Sequence, residues 1–492
     1  MTPSTLHLRS LTIGQNRGAA RLWLQGRSLA ASGAVPGARF DLHANPTARR
    51  IVILIHPNGG RVVSAKPGGT PVIDSRGSEI GQTFPTGTRI RVRFEPGRIV
   101  ITIHPSDAAQ AARAQRLKEK LLSGQEIDVG SLCFGAGVLD AALHQGLADA
   151  GVTSRLRFAV DVDGDALDHA MGHNPAWTTD TMAVADDIAL VDPSELPPVD
   201  LLAAGLPCGP ASRPGRAKQR SLDPLLRHPE GHPDGAAFIH LVRFVAALNP
   251  AAVVLENVDL YRDTAGYAAL LTTLTTLGYK VTETFLYSQA WGVVEDRQRL
   301  AMVAVTGDAI SLEDLAPNIP PEPLSTVLED IPTDNVRWRD HGHHVASTDE
   351  ERAAGNGFSF QLVGPETRRI GTIGRGYSRD RRTEPHLRHP TDPNRSRLLT
   401  VREHARIKQI PERMVSDLGH MRGHQLLGQS IAYPPFVSLG RRLGQWMRGD
   451  RRAFATGGAR PLQRHASVIA PTPQLTLFSD MDMPPASREL QS

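Results

Sequence analysis

Five side chains in this sequence combine into reactive chemistry: Cys208, Glu256, Asn257, Arg297 and Arg299. Cys208 sits in the loop Pro207-Cys208-Gly209-Pro210-Ala211-Ser212, after a run from Val199 to Ala204, apolar but for one acid at Asp200, that reads as a buried strand. Gly205 and Pro207 end the run. A cysteine there is either a small buried hydrophobe or, where solvent and substrate reach it, a thiolate nucleophile. A second apolar run, Val253 to Val258, carries Glu256-Asn257 near its end. Asp296-Arg297-Gln298-Arg299 opens a third, Leu300 to Val305. A nucleophile, a carboxyl group for proton traffic and guanidinium forks for an oxygen or phosphate form a working set once strand ends bring them together. Strand ends are also where open α/β sheets bind ligands.

The elements that position this set are legible on both sides of it. Ile127 to Leu132 is a strand candidate, and Cys133-Phe134-Gly135-Ala136-Gly137-Val138 turns it into a helix over Leu139 to Leu147. Glycines in such a turn let the backbone approach a ligand at a helix start. Arg157 to Asp161 is a further strand ending in an acid. Gly209 to Asp234 is a long polar loop carrying Arg213, Arg216, Lys218, Arg220 and Arg227, a length typical of lids or of disorder. Ala237 to Leu248 places Phe238, Leu241, Val242, Val245 and Leu248 at helical spacing.

In the type and order of these motifs the chain resembles the DNA cytosine-C5 methyltransferases, from about Ile127 to about Leu443. Pro207, Cys208 and Ser212 match that family's Pro-Cys…Ser loop, Glu256-Asn257-Val258 its Glu-Asn-Val, and Arg297 and Arg299 its Arg-x-Arg. The resemblance implies that Cys208 adds to C6 of cytosine and that a protonated Glu256 bonds N3 and the exocyclic amine. It implies further that Asn257 orients the loop, that Arg299 holds O2, and that Arg297 supports the site or a phosphate. The implied cofactor is S-adenosylmethionine, assigned to Cys133, Phe134, Gly135, Gly137, Asp161, Val162, Asp187, Ile188, Gln429 and Ser430. Asp161 stands where the family has Glu, and its place after the glycine turn suits ribose hydroxyls; Asp187 would accept from the adenine amine. Cys133 takes the family's Phe position and reads as a packing residue. The set calls for no metal.

Four motifs depart from the family pattern. The first reads Ser131-Leu132-Cys133-Phe134-Gly135-Ala136-Gly137-Val138 in place of Asp-Leu-Phe-x-Gly-x-Gly-Gly. Gly292-Val293-Val294 replaces Gly-Val-Pro, Glu295 replaces Gln, and Gly428-Gln429-Ser430-Ile431 replaces Gly-Asn-Ala-Val. Arg397 to Ile407 matches Arg-x-Leu-Thr-x-Arg-Glu-x-x-Arg-Leu and is expected to be a helix bracketing the variable region. The last motif is expected beside the first, completing the sheet from the C-terminal end. A tRNA-directed enzyme of the same family, or a non-catalytic DNA-binding protein on its scaffold, are the alternatives.

The fold class implied is α/β: a Rossmann-like, S-adenosylmethionine-dependent methyltransferase sheet with a small irregular target-recognition domain, plus an N-terminal all-β domain. The expected organisation is a β-rich domain over 1–106, a linker helix over 107–125, the catalytic domain over 126–306, target recognition over 307–396, a C-terminal return over 397–450 and a disordered tail over 451–492. In 1–106, Pro36 to Leu42 followed by Ile51 to Pro57 repeats as Thr86 to Val92 followed by Ile99 to Pro105. Such copies should pack on each other; the pattern resembles the AbrB-like swapped-hairpin barrels, which often bind DNA. Arg368 to Arg406 holds 11 Arg against 4 acids, with Tyr377 and several His interleaved. Arg375, Arg379, Arg381 and Arg382 there, with Arg213 and Arg216, are the expected DNA contacts.

The formal charge of the 492 residues is +4, and only six of the 55 cations are Lys. Arg suits phosphate and guanine; a codon bias toward Arg, Ala and Gly produces the same excess. Two cysteines rule out a disulfide framework. No signal peptide or membrane span is visible, and a cytoplasmic, nucleoid-associated monomer acting on double-stranded DNA is expected. In the tail, Gln474-Leu475-Thr476-Leu477-Phe478 resembles the peptide by which bacterial replication and repair proteins dock on the sliding clamp.

Overall fold

The computed structural model describes residues 7–207, 233–343 and 360–455. Cys208, Ser212, Arg213, Arg216, the rest of their polar loop and the tail peptide Gln474 to Phe478 lie outside the described residues.

Ten strands occupy the first hundred residues: β1 (His7–Thr12), β2 (Gly14–Asn16), β3 (Ala19–Gln25), β4 (Arg39–Asn45), β5 (Arg50–Ile55), β6 (Arg61–Val62), β7 (Ser64–Ala65), β8 (Pro71–Arg76), β9 (Arg89–Glu95) and β10 (Arg98–Ile103). One sheet runs β1-β9-β10-β5-β4-β6 and the other β2-β3-β8-β7. Exchanging β1–β5 for β6–β10 reverses each order onto itself. The repeat is therefore larger than its two visible hairpins, and each copy includes a short helix, Arg27–Ala31 or Ser78–Thr83. The copies also exchange strands: β1 pairs with β9 of the second copy, and β6 with β4 of the first. Alternation explains the packing, because Ile51 and Ile53 of β5 and Ile99 and Ile101 of β10 all point into one buried core. Gly37 (φ 84°) and Gly87 (φ 87°) occupy equivalent turns where a side chain would be strained.

The helix Pro105–Ser123 follows and ends on Gly124 in the left-handed conformation. It is bound to the next sheet by charge. Arg116 donates to Asp200 Oδ1 at 2.9 Å, and Lys120 Nζ lies 2.5 Å from both Asp128 Oδ2 and Asp200 Oδ2. Asp200 has no exposure. Arg113 stacks on the Tyr279 ring at 3.7 Å.

The central sheet is built from β11 (Ile127–Leu132), β12 (Ser154–Asp161), β13 (Met182–Ala185), β14 (Leu201–Gly205), β15 (Ala252–Asn257), β16 (Lys280–Tyr287) and β17 (Gln298–Val305). Its order is β13-β12-β11-β14-β15-β17-β16. The first five are mutually parallel, and β17 is antiparallel to both neighbours. The chain reverses direction of sheet growth between β11 and β14, which opens the crevice where such sheets bind ligands. Helices cover both faces, as the mostly apolar strands β14, β15 and β17 require.

All seven strands precede Thr306, so the expected completion of the sheet from the C-terminal end is corrected. The last segment supplies helices, His420–Gln429 and Tyr433–Met447. Tyr433–Met447 packs on the helix Val138–Asp149 through two glycines. A Cβ on Gly146 would fall 2.1 Å from Val437 O, and one on Gly440 would fall 2.5 Å from Leu143 O. Between sheet and return lies a small sheet of β18 (Arg339–Asp340), β19 (Gln361–Val363), β20 (Pro385–Arg388) and β21 (Arg395–Arg397), ordered β18-β21-β20-β19.

Candidate active site

The parallel strands put their carboxyl ends on one edge, and that edge gathers the flagged residues. β11 ends in the turn Cys133 to Gly137. Cys133, Gly135 and Gly137 have φ of 55°, 56° and 69°. Asn174, at the end of the helix Gly164–His173, clamps the turn by donating to Ala136 O and Gly137 O at 2.9 and 3.0 Å. A Cβ on Gly137 would lie 2.2 Å from the Asn174 amide and from the Phe134 ring. Glycine is needed there for space as well as for backbone.

Asp161 closes β12 beside this turn. Its carboxylate accepts from Gly135 N at 2.6 Å and Asp163 N at 2.9 Å. Burial raises its pKa, and the two backbone donors counter that only in part. Val162 follows with 77% of its surface exposed, an apolar face at the mouth of the crevice. Asp187, after β13, is exposed and caps its own turn through Ala189 N at 2.9 Å. Arg243 holds that turn by donating to the carbonyls of Ile188, Ala189 and Val191. Phe134 and Ile188 are buried, and Cys133 packs against the apolar core beneath them.

β14 runs out at Gly205, and Pro207 is the last described residue before Cys208. Its neighbour β15 presents Glu256 and Asn257. Asn257 is buried; its Nδ2 donates to Leu206 O at 3.3 Å, while its Oδ1 accepts from Val258 N at 2.8 Å. It thus anchors the chain two residues before the cysteine. Antiparallel β17 starts at this same edge. Arg299 Nε lies 2.8 Å from Glu256 Oε1, with both side chains nearly buried. Burial pushes the Glu256 carboxyl above the usual carboxylate range, against the pull of Arg299 and Arg297.

Arg297 is buried among protein partners. It is 2% exposed, donates to Gly428 O at 3.0 Å and lies 3.4 Å from Glu295 Oε1. Glu295 also meets Lys408 Nζ at 3.5 Å and accepts from Ile373 N at 2.8 Å. Lys408 in turn reaches Leu427 O at 2.5 Å. This buried hub joins β17, the recognition segment and the last motif, and Lys408 was not flagged by its sequence. Its one signal was being a rare Lys in an Arg-rich chain. Gln429 is exposed at the end of the helix His420–Gln429; the next side chain, Ser430, bonds Leu427 O at 2.7 Å.

In the recognition segment Arg375, Arg379 and Arg381 are exposed and Arg382 is half-buried. The interleaved aromatics are not. Tyr377 is wholly buried, donating to Pro385 O at 2.5 Å and accepting from Leu399 N at 2.9 Å. His386 and His389 are buried too. These rings are core, so the exposed face of the segment is left to its arginines. The motif around Arg397 is structural as well: Arg397 and Glu403 form a buried two-bond pair at 2.7 Å each, and Glu403 closes a capping box with Thr400.

Residues 127–445 match the family model described as C-5 cytosine-specific DNA methylase. The type II methyltransferase M.NlaX of Neisseria lactamica is 26% identical over 322 residues, covering 63% of this chain and 94% of that one. M1.ScrFI of Lactococcus lactis subsp. cremoris is 25% identical over 269 residues, covering 52% and 65%. Among solved structures, the S. pombe Dnmt2 methyltransferase is similar over 66% of this chain and 99% of that one, at 17% identity and a TM-score of 0.48.

Proposed function

The chain belongs to the C-5 cytosine-specific DNA methylases, and from that premise we propose that Cys208, Glu256 and Arg299 carry its transfer of a methyl group from S-adenosylmethionine to C5 of cytosine in duplex DNA. The supporting observation is the Glu256–Arg299 pair on the edge where the strand leading to Cys208 ends.

Cytosine C5 is a poor nucleophile. Cys208 as thiolate forms a bond to C6, and the displaced ring electrons make C5 an enamine carbon. Glu256, its carboxyl pushed up by burial, donates to N3 as the acid and accepts from the exocyclic amine. Arg299 holds O2 with its guanidinium fork, and Asn257 fixes the cysteine loop through Leu206. S-adenosylmethionine would supply an electrophilic methyl group to C5, its sulfonium sulfur keeping the bonding pair and leaving as a neutral thioether. The left-handed turn Cys133 to Gly137, the Asp161 carboxylate and the bare Val162 face fit it at main chain, ribose and adenine. A base then removes the C5 proton, and the S–C6 bond breaks. The C6 edge is unreachable in a stacked duplex, so the base must be flipped out. Arg375, Arg379 and Arg381, with Arg213 and Arg216, take phosphates. The cleft lined by Arg9, Arg27 and Lys66 on the N-terminal barrel suits the same backbone.

Duplex DNA carrying 5-fluorocytosine at the target tests this. Fluorine cannot leave as a proton does, so wild type is trapped as a covalent adduct and Cys208→Ser is not. An active preparation that traps nothing overturns the assignment. Bisulfite sequencing of DNA from an expressing host identifies the target.

The tail peptide Gln474 to Phe478 is read as a sliding-clamp dock that holds the enzyme beside newly replicated, nucleoid DNA, with Leu477 and Phe478 filling an apolar pocket. A labelled peptide spanning 470–481 should bind purified clamp far better than its Leu477→Ala, Phe478→Ala form; equal binding ends the reading.

A further inference from the structure

The recognition segment brings two histidines and an aspartate together from separate parts of the chain. His341 follows β18, Asp380 sits in the turn after Tyr377–Arg379, and His386 lies in β20. One ligand atom from each can be chosen so that all lie within 4.8 Å of one another. We propose that His341, Asp380 and His386 bind a zinc ion that staples the recognition sheet.

Hydrogen-bond accounting at His386 carries the argument. Its Nδ1 lies 2.8 Å from Glu384 O, which can only accept. Its Nε2 lies 2.7 Å from Asp380 Oδ1, an acceptor when ionised. A neutral imidazole has one N–H to give, so two acceptors call for a second proton on the ring or for a metal ion. Its ring has no exposure to solvent. A zinc ion in place of that proton, with Nε2 and the carboxylate moved apart to ligand distances, satisfies both sides: Nδ1 donates to the carbonyl and Nε2 ligates. His341 repeats the arrangement. Its Nε2 lies 3.5 Å from Asp380 Oδ2, and its Nδ1 lies 2.7 Å from the buried Ser396 Oγ. An imidazole oriented through its other nitrogen is the usual outer support of a metal ligand.

Two imidazole nitrogens and one carboxylate oxygen suit zinc better than calcium or magnesium, which take oxygen ligands. The fourth tetrahedral position is left for solvent. Phe360 shields the group, with its ring 4.7 Å from that of His386 and 5.7 Å from that of His341. Arg339 also reaches Asp380, at 3.2 Å, but its side chain is 68% exposed and can swing into water. The small sheet needs such a staple. Its four strands are two to four residues long. The core cluster it leans on is partly borrowed from Val294, Leu399 and Ile407. Metals commonly make up for small cores.

The test uses the full-length chain purified without a histidine tag, soaked with zinc sulfate and dialysed against metal-free buffer. Mass spectrometry of the metal content should find ~1 zinc per chain, as a single site requires. A chelator should lower the melting temperature, and added zinc should restore it. Asp380→Asn and His341→Ala should each lose the zinc and the chelator sensitivity. Wild type that retains no zinc and ignores the chelator overturns the proposal. So does Asp380→Asn retaining as much zinc as wild type, because the ion then lies elsewhere. Metal content is read without any methyl transfer, so this result stands apart from the fate of the catalytic assignment.

Discussion

Arg299 Nε sits 2.8 Å from Glu256 Oε1 because β17 runs antiparallel to β15, with Asn257 opposite Leu300. An antiparallel strand begins where its parallel neighbours end. The guanidinium at its start therefore meets the carboxyl at the end of β15, and burial still holds Glu256 above the usual carboxylate range.

Glu256 acts as a hydrogen donor, so transfer should fall as pH rises through its elevated pKa. Glu256→Gln keeps the shape and a donor but cannot titrate. Its single-turnover rate should be lower than wild type and lack that alkaline decline. Glu256→Ala should lose about 10²–10⁴-fold. An identical alkaline limb in wild type and Glu256→Gln would assign the titration to another group.

Asp140 should make the fold less stable at high pH. It is 1% exposed, its Oδ2 bonds Ser131 Oγ at 2.9 Å, and burial pushes its pKa up to about 7. A carboxyl whose pKa is raised on folding stabilises below its unfolded pKa, and that stability is lost as pH rises through the folded value. The loss is on the order of 4 kcal/mol between pH 4 and 8, at about 1.4 kcal/mol per unit. Asp140→Asn should melt higher than wild type at pH 8 and show a flatter profile. Equal pH slopes in thermal unfolding would contradict this.

Breaking the Arg397–Glu403 pair should cost about 3–5 kcal/mol, because either partner alone leaves a buried charge uncompensated. Arg397 is 2% exposed and Glu403 not at all. The double change Arg397→Met, Glu403→Gln should cost less than the sum of the single ones in urea unfolding. Additive costs would show that the two groups act independently.

The helix Pro105–Ser123 should belong energetically to the catalytic sheet. A chain starting at His104 keeps Arg116 and Lys120 on Asp128 and Asp200, and should fold and transfer methyl groups. One starting at Gln125 leaves Asp200 buried without its cations, and should unfold at lower urea by several kcal/mol. Equal midpoints would make the helix a mere connector.

The sequence by itself determined what depends on near neighbours. Mostly apolar runs marked β14, β15 and β17, because strands covered on both faces carry few polar side chains. Gly135 and Gly137 marked the turn, because few other residues tolerate left-handed backbone in so tight a space. The helix Ala237–Leu248 followed from its spacing, and the order of Cys208, Glu256 and Arg299 marked the chemistry. Tertiary structure decided whatever needs a distant partner. It turned β17 around, buried Tyr377, Arg297 and Arg397, and made the C-terminal return helical. It also exchanged β1 and β6 between the barrel copies and joined Glu295 to Lys408. A charge in the sequence looks solvated until its counter-charge arrives from another segment. Burial is a property of the packed whole, so periodicity over a few residues could not show it.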